Sequence, residues 1–192
     1  MSKTELLLAI GADGARGGWL AALAYGTNGQ ATRVELRLLT AFADLGGAHE
    51  ANAPVAVDIP MGLLDSVGLR TCDRQARALL GKRASTVFAP PSRPLLRADT
   101  YAAARELVER ERAASPQAKS LSAQAFGIAP KMREADDYLQ AHPQAQKWLW
   151  ECHPELSFRA MAKGRVLPDK KSVCGQAERL TLLCDRFPEV LY

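Results

Sequence analysis

The sequence has few cysteines, no long apolar run and no export signal. Its four cysteines lack the spacing of a zinc site or a disulfide framework, which predicts reduced thiols in a cytosolic protein. No stretch approaches the roughly 18 apolar residues that a membrane-spanning helix needs, and the N-terminal apolar stretch is too short for a signal peptide. We therefore expect a cytoplasmic protein with no membrane partner.

Several common motifs are also absent. The chain has no internal repeats, no GxxxxGK[ST] phosphate loop and no Gly-x-Ser-x-Gly nucleophile motif, and no cysteine has an evident histidine partner. What is present is the composition of one ordinary globular domain: 192 residues, of which 47% are hydrophobic and 24% charged. The formal charge of +4 moderately favours a polyanionic partner.

Five segments have the apolar or alternating patterns of β-strands. Two apolar runs, 6–10 and 19–24, flank a Gly-rich turn and predict a hairpin. Residues 31–39 alternate between polar and apolar side chains, and 54–60 and 147–152 are compact apolar runs. A short helix at 41–45, ended by two glycines, is predicted before the fourth strand.

Two of these strands end close to a carboxylate. Asp13 lies in the Gly-rich turn after the first strand, and Asp58 lies near the end of the fourth. Adjacent strands are about 4.8 Å apart, so carboxylates at their ends can share a cation. Alternatively, Asp13 hydrogen-bonds only to the amides of its turn.

From residue 69 the apolar pattern has the period of helices. Helices are predicted at 69–80, 101–113, 121–126, 130–141, 155–162 and 172–187, with a linker at 115–120. Between the first two, residues 82–97 carry four basic side chains and no acid: Lys82, Arg83, Arg93 and Arg97. Three prolines in this stretch predict irregular backbone. It is interpreted equally well as a solvated loop or as a phosphate-binding rim.

The junction after the fifth strand concentrates ionisable residues. Glu151 and His153 share one face of the strand, and Glu155 stands in the first turn of the following helix, where an anion is favoured. A functional site and a purely structural role are equally compatible with this pattern.

Six motifs spread in order over nearly the whole chain resemble one family, the bacterial domain of unknown function 429, described as predicted nucleases of ribonuclease H-like fold. They are GADGARGGW, VDIPMGL, RTCDRQARALLGKRASTVFAPP, SAQAFGIAPKMREAD, ECHPELSF and KKSVCGQAERL. The resemblance implies an α/β fold with a mixed five-stranded sheet, a three-stranded meander followed by parallel strands, flanked by helices. We expect a single domain over 1–192 with a helical insertion at about 65–146.

The resemblance also implies a site. Asp13 and Asp58 would be catalytic metal ligands with Glu155 as the third acid, and the metal would be Mg²⁺ or Mn²⁺. Substrate contacts are expected from a set of basic residues: Arg83, Arg93, Lys131, His153, Lys170 and Lys171. Family members tend to continue into a further Asp- and Ala-rich helix that supplies another carboxylate. The sequence ends at 187–192 without one, so either the chain is a shortened member or Glu151 or Asp136 completes the cluster.

Three functions are therefore open. The first is a metal-dependent nuclease that hydrolyses nucleic-acid phosphodiesters. The second is a non-catalytic nucleic-acid-binding or adaptor domain of the same fold. The third is an actin-like nucleotide phosphatase, which usually needs two copies of the fold, whereas 192 residues leave room for one.

Overall fold

The computed structural model describes residues 4–48, 53–66, 68–114 and 123–188. The chain divides into two compact units, one comprising Met1–Asp58 with Gln144–Tyr192 and the other comprising Ile59–Pro143. The second unit overlaps the helical insertion predicted at about 65–146. The predicted linker at 115–120 and the start of the helix predicted at 121–126 lie outside the described residues. In the ranges that are described, no helix has the length and apolar character that a membrane crossing requires.

The first unit is built on a five-stranded sheet. The strands are β1 (Leu6–Ala15), β2 (Gly18–Thr27), β3 (Gln30–Leu39), β4 (Val55–Val57) and β5 (Leu149–Glu151). Their spatial order is β3-β2-β1-β4-β5, with β1, β2 and β3 antiparallel and β4 and β5 parallel to β1. This topology confirms the predicted ribonuclease H-like α/β fold.

The first hairpin is longer than its apolar runs predict. Asp13 lies within β1, opposite Leu20 of β2, and the prediction that it sits in the turn is wrong. The turn is made instead by Gly17, whose φ of +84° an L side chain rarely adopts. Gly11 and Gly14 continue the strand because both ladder partners, Ala22 and Trp19, are in register to pair with them.

The core lies on one face of this sheet. Alternate residues of the three central strands are buried there, among them Ile10, Ala12, Leu23, Val55 and Val57. Trp19 packs edge-on against Phe42, with ring centroids 5.0 Å apart. Because side chains alternate along a strand, Asp13 and Asp58 point to the opposite face from these core residues.

The described helices are α1 (Asp44–Ala48), α2 (Thr71–Leu80), α3 (Arg93–Leu96), α4 (Tyr101–Ala114), α5 (Ala123–Gly127), α6 (Ala129–Ala141), α7 (Pro154–Met161) and α8 (Val173–Arg186). Short 3₁₀ helices cover Gly81–Thr86 and Pro143–Lys147. Helix α1 starts later than predicted and runs through the two glycines expected to end it. Its Asp44 carboxylate accepts the backbone N–H groups of Thr40 and Ala41 at 3.1 and 2.9 Å.

The basic stretch of the second unit is irregular only at 87–92, so the prediction is confirmed for Pro90 and Pro91 and is wrong for the rest of the stretch. It contains the 3₁₀ helix Gly81–Thr86 and the single-turn helix α3. Pro94 falls in the first turn of α3, where the missing N–H would have no helical acceptor in any case. Helix α4 follows, and the Thr100 hydroxyl caps it by accepting the N–H of Ala103 at 3.1 Å.

Candidate functional site

The two carboxylates lie side by side at the ends of adjacent parallel strands. The ladder between β1 and β4 pairs Ala12 with Val57, and the Asp58 N–H donates to the Ala12 carbonyl at 2.9 Å. Asp13 and Asp58 are the next residues in this register, so their backbones are one strand spacing apart, about 4.8 Å. Both residues are exposed to solvent, although the protein atoms around the Asp58 carboxyl remove part of its hydration. This arrangement follows from the parallel pairing of β1 and β4.

Strand β5 brings a third set of polar groups to the same edge. Glu151 pairs with Val57, and the Cys152 N–H donates to the Val57 carbonyl at 2.8 Å. His153 follows in extended conformation, and its carbonyl accepts the N–H of Leu156 at 2.9 Å as α7 begins. The parallel order of β1, β4 and β5 therefore gathers their C-terminal ends.

Electrostatic interactions define which side chains act on Asp58. Partial burial raises the pKa of the Asp58 carboxyl above its usual value, and the negative charges of Asp13 and Glu151 raise it further. Positive charges on His153 and Lys170 act in the opposite direction. We call these five residues the strand-end cluster: Asp13, Asp58, Glu151, His153 and Lys170.

Lys170 is held in place by the start of α8. Ser172 caps this helix, its hydroxyl accepting the Gly175 N–H at 3.0 Å and donating to the Asp169 carbonyl at 2.7 Å. A Cβ on Gly175 would lie 1.9 Å from the Asp169 carbonyl oxygen, so only glycine permits this close approach. Lys171 is exposed, and its backbone N–H donates to the Asp169 carboxylate at 2.8 Å.

Glu155, the expected third acid, is buried in an ion pair. Both of its carboxylate oxygens accept from the Arg179 guanidinium, at 2.8 and 3.0 Å. Arg179 is itself buried and donates to the carbonyls of Pro168 and Gly175 at 3.0 and 2.8 Å. The pair therefore links the start of α7 to α8 and to the segment that precedes Lys170.

The basic residues of the second unit have acidic neighbours that the local sequence does not contain. Arg93 binds Asp136 through two contacts of 2.8 and 3.1 Å and Asp65 at 2.8 Å. Arg97 lies 3.6 Å from Asp137. These residues line a cavity of about 610 Å³ together with Gln140 and Ala141. Asp136, one of the two acids expected to complete the metal site, is thus the buried partner of Arg93.

The remaining two candidates also lie in the second unit. Lys131 is on α6, 3.4 Å from Glu134. Arg83 is half-buried in the 3₁₀ helix, where its carbonyl accepts the Thr86 hydroxyl at 2.8 Å. Neither contact involves a residue of the strand-end cluster.

A divalent cation fits the strand-end cluster in part. Carboxylate oxygens are the ligands that Mg²⁺ and Mn²⁺ prefer, and a cation would relieve the repulsion that raises the pKa of Asp58. Among the described residues, however, no three His, Cys, Asp or Glu side chains are arranged to hold a metal ion. Asp13 and Asp58 would therefore hold a cation whose other ligands are water or substrate oxygens, as is usual for Mg²⁺.

Sequence reasoning missed two buried arginines. Arg179 was missed because the charge pattern of its helix, α8, is typical of a solvent-exposed helix. Arg70 is also buried, with Asp73, at 2.6 and 2.8 Å. Arg70 and Asp73 are three residues apart, a spacing from which an ion pair on one helix turn could have been predicted. Arg179 and Glu155 are 24 residues apart, and no local pattern in the sequence indicates that they pair.

Comparison with known proteins agrees with the resemblance in the motifs. A family model described as "Protein of unknown function (DUF429)" matches residues 11–191. Neither a curated protein nor a solved structure shows significant similarity to the chain.

Proposed function

The chain belongs to the DUF429 family of proteins of unknown function, and we propose that it is a Mg²⁺- or Mn²⁺-dependent nuclease acting on nucleic-acid phosphodiesters. One observation carries the proposal: the parallel register of β1 and β4 sets Asp13 beside Asp58 at an exposed strand end. Paired carboxylates of this kind are suited to a divalent cation. A bound cation would supply activation of water and stabilisation of the leaving oxygen.

The cluster's own residues would bind and orient the substrate. The ammonium group of Lys170 and the ring of His153 lie close enough to Asp58 to act on it electrostatically, so they can contact a phosphate placed there. In hydrolysis, a water oxygen bonds to phosphorus and one P–O ester bond breaks. The water loses a proton to solvent, and the leaving oxygen gains one.

We assign Glu155 a positioning role in this site. Its two hydrogen bonds to Arg179 use both carboxylate oxygens, and Arg179 in turn holds the Pro168 carbonyl close to the Lys170 turn. Glu155 would then act through Arg179 on the position of Lys170. Of the two acids expected to complete the cluster, Glu151 is the one whose charge acts on Asp58. Glu151 pairs with Val57, however, so it lies on the core face of the sheet, opposite Asp13 and Asp58, and we assign it an electrostatic effect rather than a ligand role.

The second unit carries positive charge of its own for nucleic-acid contacts. Arg83 and Lys131 remain our candidates for phosphate contacts there. Arg93 and Arg97 have acidic neighbours at 2.8 to 3.6 Å, so we expect them to contribute less. Each phosphate that is neutralised contributes about 0.7 to 0.9 to the slope of log K against log salt.

Cleavage of labelled single-stranded and duplex DNA and RNA, with Mn²⁺ and with EDTA, tests the proposal. We expect Mn²⁺-dependent cleavage that Asp58→Asn abolishes and that Lys170→Ala weakens mainly through KM. Asp185→Asn, which removes one exposed carboxylate from α8, is the matched control and should cleave normally.

Two other outcomes would contradict the nuclease proposal and identify the alternatives. Salt-sensitive binding without cleavage at any metal concentration would favour a non-catalytic nucleic-acid-binding domain. Hydrolysis of ATP with no cleavage of polynucleotides would favour a nucleotide phosphatase.

A further inference from the structure

The edge strand β3 has its apolar side chains on the face away from the core. Glu35 and Arg37 pair with the core residues Leu23 and Ala21, so the charged side chains of β3 share the core face of the sheet. Leu36 and Leu38 are on the other face and are 66% and 58% exposed. Long apolar edge strands readily pair with another chain, so natural proteins normally protect them. Strand β3 spans ten residues, and in the part of the chain that the structure describes no other strand pairs with its outer edge.

We propose that β3 pairs antiparallel with β3 of a second copy of this chain, about a two-fold axis through Leu36. The two sheets would then be continuous across the dimer. A two-fold axis perpendicular to the sheet is the symmetry that an antiparallel pair of identical strands requires, and it places one residue opposite itself.

The charges on β3 are complementary in this register. With Leu36 on the axis, Glu35 lies opposite the partner's Arg37, and Arg37 lies opposite the partner's Glu35. On the apolar face, Leu36 meets the partner's Leu36 and Val34 meets the partner's Leu38. Opposite charges and matched apolar side chains directly across a strand pair both stabilise it.

Neighbouring registers place unfavourable pairs opposite each other, either on the charged face or on the apolar face of the strand. An axis through Glu35 would set Glu35 against itself, and an axis through Arg37 would do the same for Arg37. An axis through Val34 would pair Glu35 with the partner's Arg33 but would place Leu36 opposite a threonine. The sequence of β3 therefore selects the register centred on Leu36.

Ion pairs within β3 do not prevent this exchange of partners. Arg37 contacts Glu35 at 2.7 Å and Arg33 approaches it at 3.6 Å, and half of each arginine side chain is exposed. Exposed pairs of this kind contribute little to stability, so replacing them by contacts across the dimer costs little free energy. The alternating charges also disfavour the registers centred on Glu35 and on Arg37, which adds to the specificity of the interface.

The mass of the full chain in solution, measured by light scattering and sedimentation over a range of concentrations, tests the proposal. We expect a dimer whose dissociation constant rises about tenfold or more in Arg37→Glu and in Glu35→Arg, because each creates two like-charge pairs. The double variant Glu35→Arg with Arg37→Glu should restore the dimer, since it exchanges the two signs.

Leu36→Lys should also dissociate the dimer, whereas Leu180→Lys should leave it intact. Leu180 is the matched control because it is 56% exposed on α8, away from β3. Circular dichroism of each variant verifies that it is folded. A monomeric wild-type protein would overturn the proposal, as would a dimer that survives Arg37→Glu or is not restored by the double variant.

Discussion

Glu155 and Arg179 show how a single buried residue organises the site. Each side chain is less than a tenth exposed, so removing one partner leaves the other charge uncompensated in the interior. We expect Glu155→Gln to lower the free energy of unfolding by about 3 kcal/mol or more. Urea denaturation measures this change.

The pair Arg165 and Glu178 is a suitable control. It has a similar contact distance of 2.6 Å, but its arginine is more than half exposed. Glu178→Gln should therefore change the free energy of unfolding by less than about 1 kcal/mol. Equal effects of the two substitutions would contradict the importance of the buried pair. A metal-induced stabilisation that survives Glu155→Gln would support its positioning role, whereas loss of that stabilisation would make Glu155 a ligand.

Asp44 provides a prediction about pH. The backbone N–H of Ala41, with further hydrogen bonds from Thr40, lowers the pKa of the Asp44 carboxyl below its usual value. A lowered pKa means that the stabilising contribution is complete above the unfolded-state pKa and is lost as the pH falls through the folded-state value.

The stability difference between wild type and Asp44→Asn should therefore be constant at neutral pH and shrink in strongly acidic solution. Thermal melts of both proteins across this range measure it. A difference that does not change with pH would show that the charge of Asp44 is unimportant.

At the scale of elements, the contact between α8 and the Lys170 turn depends on Gly175. A Cβ at this position would lie 1.9 Å from a backbone oxygen, so Gly175→Ala forces the helix and the turn apart. We expect a loss of about 1–3 kcal/mol, as is typical of overpacking, together with weaker substrate binding through displaced Lys170.

Gly47→Ala is the control for this substitution. Gly47 also lies in a helix, but a Cβ there has no neighbour within 4 Å, so the change should be neutral or stabilising by up to about 1 kcal/mol. A Gly175→Ala protein as stable as wild type would contradict the assigned contact.

Most strands and helices could be predicted because their patterns are local. The apolar run at 54–60 and the helical period at 172–187 both identified their elements to within a few residues. The extent of β1 could not be predicted, because glycines favour turns locally and only pairing with β2 keeps Gly11 and Gly14 in the strand. The short helix α3 was missed because Pro94 suits a first turn as well as a loop.

The side chains that neutralise one another were the least predictable part of the site. Arg93 binds Asp136, which lies 43 residues later in the sequence, and Arg179 binds Glu155, which lies 24 residues earlier. Such pairs depend on how whole helices pack, which local sequence patterns do not encode. Asp13 and Asp58 could be paired in advance because the ends of adjacent parallel strands share one edge of the sheet.

At the scale of the whole molecule, the topology itself creates the candidate site. The order β3-β2-β1-β4-β5 places β4 between β1 and β5, so its Asp58 lies within reach of charges from both neighbours. Without a cation, the two adjacent carboxylates repel each other, and this repulsion destabilises the folded protein locally. Metal binding would remove it.

Thermal melts of wild type and Asp13→Asn, each with Mn²⁺ and with EDTA, test this account most directly. At about one hundred times the dissociation constant, Mn²⁺ should stabilise the wild type by about 2.7 kcal/mol, a rise in Tm of about 5–10 °C. Asp13→Asn should abolish that rise without lowering the Tm in EDTA, while Asp185→Asn should behave like wild type. An Asp13→Asn protein that is less stable in EDTA, with no response to Mn²⁺ in either protein, would contradict the account.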